Sequence, residues 1–396
     1  MLVQFMLKNV LSFKDETVFN MTAINAYKEH EYNLINNGKE KFLKVSAVYG
    51  ANASGKSNLF LAMFYFQRIV AGSFNNVADD ETIAIEEYYF PFSFEQEDEN
   101  SEFEIIEIID DYEYKYGFEY NSEQIVSEWM YRKNIQTNRN SVILERTEDT
   151  ITLGASVRKE CEIYKEQIPA ETLALSFFNK LKLKTGIFQD CYSGIMNIMM
   201  TPADFYENKN RIKKLLPGMI DNEEEKLNKF LHVIDSGIQS IFYVKTDKDI
   251  EFFTTHTGKD GEEYVLNLFS ESDGTIRSIL IFIYAGKAIE MNRVMFVDEL
   301  NIKLHPLLLK FIVDLFYEKN SNAQLIYTTH DTTLMSRKFF RRDQIWFVQK
   351  DEFGYSKLTA LSDFKVRLDA SFEKDYLAGV YGGIPLLKEF DMKEGK

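Results

Sequence analysis

An α/β fold, with a mixed central sheet between flanking helices, is what the sequence predicts, and three observations carry it. A buried apolar strand, KFLKVSAVYG (41–50), runs into a glycine-bearing loop and then into NLFLAMFYFQRIVAG (58–72), whose apolar residues recur at helix spacing. Far downstream, RVMFVDEL, AQLIYTTHD and QIWFVQK supply three short apolar strands separated by helical stretches such as LHPLLLKFIVDLFYEK. Alternation of that kind implies a parallel sheet, and no repeat, low-complexity tract or long heptad run competes with it.

The other elements follow from local pattern. Residues 1–20 alternate apolar and polar side chains on either side of Lys14–Asp15, which reads as a hairpin of two short strands. Between 88 and 155 the segments YYFPFSFEQ, FEIIEIID, YEYKYGFEY, EQIVSEWMYRK and SVILERTEDTITL, divided by acidic or Asn-containing turns, read as an inserted antiparallel β meander. Residues 156–240 read as a helical lobe, with ETLALSFFNKLK, SGIMNIMM and DNEEEKLNKFLHVI as helices and TPADF as a capped start. IQSIFYVKT and IEFFTTHTG make a second hairpin, after which the chain passes from strand through a Ser-Asp-Gly-Thr turn into a buried helix. The expected organisation is a core of residues 1–90 and 240–396, a β subdomain at 88–155 and a helical lobe at 156–240.

Composition narrows the class. At 396 residues the chain exceeds one ordinary domain, and lobes inserted into a single core account for the length. With 45% hydrophobic residues, 33 of them Phe, it can fill an interior without covalent staples. Cys161 and Cys191 stand far apart with no C-x-x-C, which suggests neither a disulfide framework nor a zinc site and suits a reducing compartment. No 18-residue apolar run and no signal-peptide pattern occur, so the expectation is a cytoplasmic protein without membrane contact. A formal net charge of −16 opposes non-specific coating of nucleic acid. The local basic stretches KLKLK (180–184), KNRIKK (209–214) and RKFFRRD (337–343) read either as solvated faces or as nucleic-acid contacts.

The chemistry is concentrated in a few short stretches. In VYGANASGKSNL, Gly50, Gly55, Lys56 and Ser57 satisfy G-x-x-x-x-G-K-[ST], a spacing that a random chain of this length would show about one time in a hundred. Backbone N–H groups of Asn52, Ala53, Ser54, Gly55, Lys56 and Ser57, with the helix that begins there and Asn58 in its first turn, would surround phosphates. Lys56 would bridge the outer two phosphates, and the Ser57 hydroxyl would ligate Mg²⁺. The strand RVMFVDEL ends in Asp298–Glu299, where phosphoryl transfer to water needs a metal-shell carboxylate (Asp298) and a general base (Glu299). His330 ends the strand QLIYTT, at the edge where parallel sheets collect ligands, and reads as a γ-phosphate or water contact, or as a helix cap or core partner. His305 orders the turn into the next helix or meets a partner subunit, and Ser272–Thr275 is a polar turn before a helix, again an anion-binding geometry.

In this order the loop 50–57, the SDGT turn 272–275, VMFVDE (294–299), LHP (304–306) and TTH (328–330) resemble an ABC-type ATPase head, shared by recombination-repair and chromosome-structure ATPases. The opening FMLKNVLSFKDETVFNM, the loop, SDGT and the tail KDYLAGVYGGIP look like the short-armed, OLD-like ATPases of the AAA family in bacterial phage-defence operons, such as Rlo-type ATPases and the ATPase subunit of PARIS systems. The resemblance implies a P-loop NTPase of ABC-head type using ATP and Mg²⁺, with two heads enclosing nucleotide in a homodimer or higher homo-oligomer. It implies that Ser272 and Gly274 bind the γ-phosphate of the facing copy, that the His305 segment lines the interface, that His330 is the switch histidine and that Asn52 faces the phosphates. The signature reads Ser-Asp-Gly-Thr where the family has Ser-Gly-Gly-Gln, and Gln96 is a poor match to the glutamine that normally joins the metal shell.

The expected function is an ATP-hydrolysing switch, ATP to ADP and phosphate, acting as sensor or regulatory subunit of an anti-phage defence system with a separate, nuclease-like effector. Two rivals remain at this point: a DNA-repair ATPase that clamps duplex DNA through a basic stripe, and a scaffold that binds ATP and scarcely turns it over.

Overall fold

The computed structural model describes residues 1–38, 40–73, 85–95, 99–181, 183–204, 209–234, 237–246, 249–367 and 370–384; Gln96 and the last residues of the KDYLAGVYGGIPLL tail lie outside them. The chain opens with β1 (Leu2–Lys8) and β2 (Thr17–Asn20), an antiparallel hairpin as expected. The stretch read as one strand at 41–50 is two. β3 (Leu34–Asn37) and β4 (Glu40–Leu43) form a separate two-stranded ribbon, and β5 (Val45–Tyr49), buried at every residue, enters the central sheet. The division falls at Lys44, whose ammonium donates to the Glu318 carbonyl, a polar anchor that an uninterrupted buried strand would not carry.

Helix α1 (Lys56–Gly72) follows the loop and packs Phe66 among Phe5, Phe103 and Phe118, with the Phe66 and Phe118 rings stacked at 5.7 Å. Its other side meets the central sheet, Phe60 lying 5.2 Å from Phe296. YYFPFSFEQ is not a strand; a short 3₁₀ turn, Ile85–Tyr88, leads into a loop that tucks Phe92 inward. The meander proper is β6 (Ser101–Ile109), β7 (Tyr112–Tyr120), β8 (Ile125–Asn134), β9 (Asn140–Arg146) and β10 (Ile151–Leu153). Because β6 pairs with β1 along Leu2–Lys8, the meander extends the N-terminal hairpin into one seven-stranded antiparallel sheet, ordered β10-β9-β8-β7-β6-β1-β2.

Helices α2 (Ala155–Cys161), α3 (Ala174–Lys180) and α4 (Ile187–Met196) come next. SGIMNIMM, expected as a helix, splits: Asn197 ends α4, and β11 (Ile198–Thr201) runs parallel to the central sheet as its edge strand. The Thr201 hydroxyl donates to the Phe296 carbonyl at 3.0 Å, so the edge is tied to its neighbour by a side chain as well as by the ladder. Helix α5 (Lys209–Ile234) leads into a three-stranded sheet of β12 (Ile238–Lys245), β13 (Ile250–Thr257) and β14 (Glu263–Asn267). The buried helix α6 (Asp273–Glu290) lays Phe282 on Phe230 of α5 at 3.9 Å. The chain then alternates β15 (Val294–Val297), α7 (Pro306–Leu315), β16 (Gln324–Thr329), β17 (Ile345–Lys350) and β18 (Ser356–Ala360), and α8 (Phe372–Leu377) closes it.

The central sheet runs β11-β15-β16-β5-β17-β18, parallel except for the β17–β18 hairpin, which makes it mixed. β5 lies between β16 and β17, so the loop after it opens at the same edge as the ends of β15 and β16, where open α/β sheets place ligands. Gln324 joins the two large sheets: its amide donates to Leu2 and Leu43 carbonyls at 3.0 and 3.1 Å and accepts the Leu2 N–H at 2.7 Å. Among the described residues no helix is long and apolar enough to cross a membrane.

Candidate nucleotide site

The loop after β5 has its shape because glycine stands at two positions. A Cβ on Gly50 would lie 2.5 Å from both Ser54 Oγ and the Val348 carbonyl. Gly55, at φ +111°, occupies the left-handed region, and a Cβ there would come within 2.4 Å of Ser356 Oγ. Behind the loop a polar chain holds it. Asn58 donates to Ser12 Oγ at 2.7 Å, and Ser356 Oγ lies 2.7 Å from both Ser12 Oγ and the Ser54 carbonyl. Asn58 borders the cleft, yet its amide is engaged from the rear.

Lys56, 4% exposed, curls back so that Nζ donates to the Gly50 and Ala51 carbonyls at 2.9 and 3.1 Å and approaches Glu299 Oε1 at 3.6 Å. Ser57 Oγ donates to Asp298 Oδ1 at 3.3 Å, which brings the second expected metal-shell residue to the first. Burial pushes the Asp298 carboxyl above its ordinary value, opposed by hydrogen bonds from Thr328 and Ser57. Thr328, buried in β16, organises both acids: its hydroxyl donates to Asp298 Oδ1 at 2.6 Å and accepts the Glu299 N–H at 2.7 Å. Glu299 turns at φ +49°, and its Oε2 lies 3.1 Å from His330 Nδ1. Asn301, held by Thr329 at 2.7 Å, stands 3.3 Å from His330 Nε2.

A cavity of about 420 Å³ lies over this constellation, lined by residues 52–58, Glu299 and Lys350. Ser272 and Gly274 do not line it. Ser272 caps α6 by accepting the Thr275 N–H at 3.1 Å, and it is exposed together with Asp273. Gly274 lies so close to the segment after Glu299 that a Cβ would meet the Lys303 carbonyl at 2.8 Å, and Lys303 pairs with Asp273 at 3.0 Å. His305 caps α7, its Nδ1 accepting the Leu307 N–H at 3.2 Å, which is the turn-ordering role. Of the basic stretches, 337–343 contains a structural arginine rather than a free contact: Arg341, 1% exposed, bonds Asp343 and the carbonyls of Ile24, Tyr27 and Glu29.

Sequence reasoning missed Thr328, Arg277, Ser12, Ser356 and Lys350. Arg277, 3% exposed, donates to the Glu299 carbonyl at 2.8 Å and to the Ala203 carbonyl at 2.9 Å, linking the helix behind the SDGT turn to the proposed base. The available signal was a polar residue inside an apolar run, Thr328 in QLIYTT and Arg277 in TIRSILIF. The donor set suits a nucleoside triphosphate with Mg²⁺. Ser54 Oγ is buried without a partner among the described residues, the loop excludes side-chain bulk, and Lys56 and Ser57 line one cleft, with Asp298 held behind Ser57.

A family model described as "AAA domain, putative AbiEii toxin, Type IV TA system" matches residues 45–336. Among solved structures, the chain is similar to an SMC head bound to the C-winged helix domain of ScpA, with TM-score 0.42 and 15% identity over 94% of this chain and 99% of that one. It is also similar to the SMC head domain from Thermotoga maritima, with TM-score 0.40 and 12% identity over 91% and 98% of the two chains. None of the curated proteins matches it significantly in sequence. Since the family match takes in most of the chain, from the strand before the phosphate loop to beyond His330, the protein belongs to this family of AAA domains.

Proposed function

We propose that the protein is an ATP-driven switch, an ABC-type head that hydrolyses ATP to ADP and phosphate between two copies of itself. The observation that carries the reading is the hydrogen-bonded set in which Thr328 fixes Asp298 against Ser57 and Glu299 against Lys56. An arriving γ-phosphate takes over Lys56 from Glu299, freeing the carboxylate to hydrogen-bond water and His330. Water attacks the γ-phosphorus, the bond to the β,γ-bridging oxygen breaks, and the water proton passes to Glu299. Ser57 and Asp298 would hold Mg²⁺, which when bound neutralises charge on the phosphate oxygens.

Ser272 and Gly274 act on the nucleotide of the facing copy in this reading, supported by the exposure of Ser272 and by both residues standing outside their own cleft. The family's description as a putative toxin of type IV toxin–antitoxin systems favours work alongside another protein. We assign the chain a sensor or regulatory role in anti-phage defence, with destructive, nuclease-like chemistry in a separate effector. Glu299→Gln tests the switch. Turnover should fall by about 10²- to 10⁴-fold, and an ATP-bound dimer should accumulate in light scattering. Unchanged turnover means a scaffold, and a monomer under saturating ATP refutes the shared site.

A further inference from the structure

Beside the phosphate cleft, and joined to it through Lys350, lies a second concavity that the hydrolytic reading leaves unused. It is lined by Phe94 and the turn 350–355. The turn is firmly built: Asp351 Oδ1 accepts the N–H groups of Phe353 and Tyr355, each at 2.9 Å. Gly354, at φ +93°, lies flat against the Phe94 ring, which an added Cβ would approach to 2.5 Å. Beneath, Phe92 and Tyr355 pack at 4.5 Å between ring centres, the Tyr355 hydroxyl donates to Glu95, and Lys14 pairs with Glu95 and Glu99 at 3.0 and 3.1 Å. The next residue, Ser356, is the one that grips the Ser54 carbonyl of the phosphate loop. Above these contacts Phe94 is 71% exposed and Phe353 68% exposed. Two phenyl rings held in water beside an anion-binding loop are an apolar surface awaiting a ligand, and a nucleobase has the flat π-face to cover them.

We propose that Phe94 and Phe353 form the platform for the base of the bound nucleoside triphosphate, with Lys350 at the junction of the base and phosphate regions. The inference rests on the nucleotide reading above and adds where the base lies. Stacking reads a ring face and not a hydrogen-bonding edge, so the platform contributes affinity while the loop contributes phosphate recognition. The test compares a non-hydrolysable ATP analogue with inorganic tripolyphosphate, each with Mg²⁺, by calorimetry. In Phe94→Ala/Phe353→Ala the analogue should bind about 5- to 150-fold more weakly, with tripolyphosphate unchanged. Phe353→Tyr should retain affinity that Phe353→Leu loses, since leucine keeps apolar area but has no ring. Unchanged analogue affinity in the double variant, or equal weakening of both probes, overturns the platform. A wild-type protein that binds neither probe better than Lys56→Ala does overturns the nucleotide reading itself, and the platform with it.

Discussion

Thr328→Val removes one hydroxyl from a fully buried position and should disturb both acids at once. The valine fills the same space but neither accepts the Glu299 N–H nor donates to Asp298 Oδ1, contacts now made at 2.7 and 2.6 Å. The orphaned N–H, in a partly buried turn, costs about 1 kcal/mol, and the lost hydrogen bond to a buried carboxylate about 2 kcal/mol more. These parts differ in pH dependence. Burial already raises the Asp298 carboxyl above its ordinary 3.8 and the Thr328 bond opposes that, so valine raises it further. A folded value above the unfolded one means that the native state holds the proton more tightly, and stability falls as pH rises through the window between them. The carboxylate part is therefore present at neutral pH and fades as pH falls toward the unfolded value, while the N–H part persists. Urea unfolding followed by Trp129 and Trp346 fluorescence, at pH about 7.5 and about 4, should show a deficit near 3 kcal/mol shrinking to about 1. A deficit that grows on acidification, or one below about 1 kcal/mol at pH 7.5, refutes the reasoning.

Two further changes probe other parts of the molecule. Arg277→Met should lower kcat by about tenfold with KM unchanged, because Arg277 holds the Glu299 carbonyl and does not border the cleft; Arg277→Lys should recover part of the loss, and an equal fall in nucleotide affinity would contradict a positioning role. Glu107, 2% exposed, is pushed up to about 7 by burial, so stability should decline by about 3 kcal/mol between pH 4.5 and about 7. Glu107→Gln should flatten that decline in a series of thermal midpoints across pH.

The parallel strands were legible because each is a short apolar run with one polar end, and the loop was legible because its spacing is rare. What escaped was pairing between distant segments. Nothing local in FEIIEIID says that it lies beside LVQFMLK, and IMMT reads as the end of a helix until β15 is seen next to it. YYFPFSFEQ has strand composition, but its rings serve to pack Phe92 against Tyr355, a contact across more than two hundred residues. In the site, Lys56, Ser57, Asp298 and Glu299 could be chosen by chemistry, whereas Arg277 acts through the Glu299 carbonyl and Thr328 through the Glu299 N–H and the Asp298 carboxylate, pairings across the fold that letters do not display. Ser12 and Ser356 escaped for the same reason, since each supports the loop from outside its motif.

The strand that feeds the phosphate loop is flanked by β16 and β17, and Gln324 fastens Leu2 to Leu43. An emerging polypeptide therefore exposes its phosphate-loop segment early but has no frame to hold it until roughly three hundred more residues leave the ribosome. During that interval β5 presents two unpaired edges of Val, Ala and Tyr. Pairing of β5 on both sides therefore waits for β16 and β17, and the loop after it is among the last parts of the molecule to be held in place.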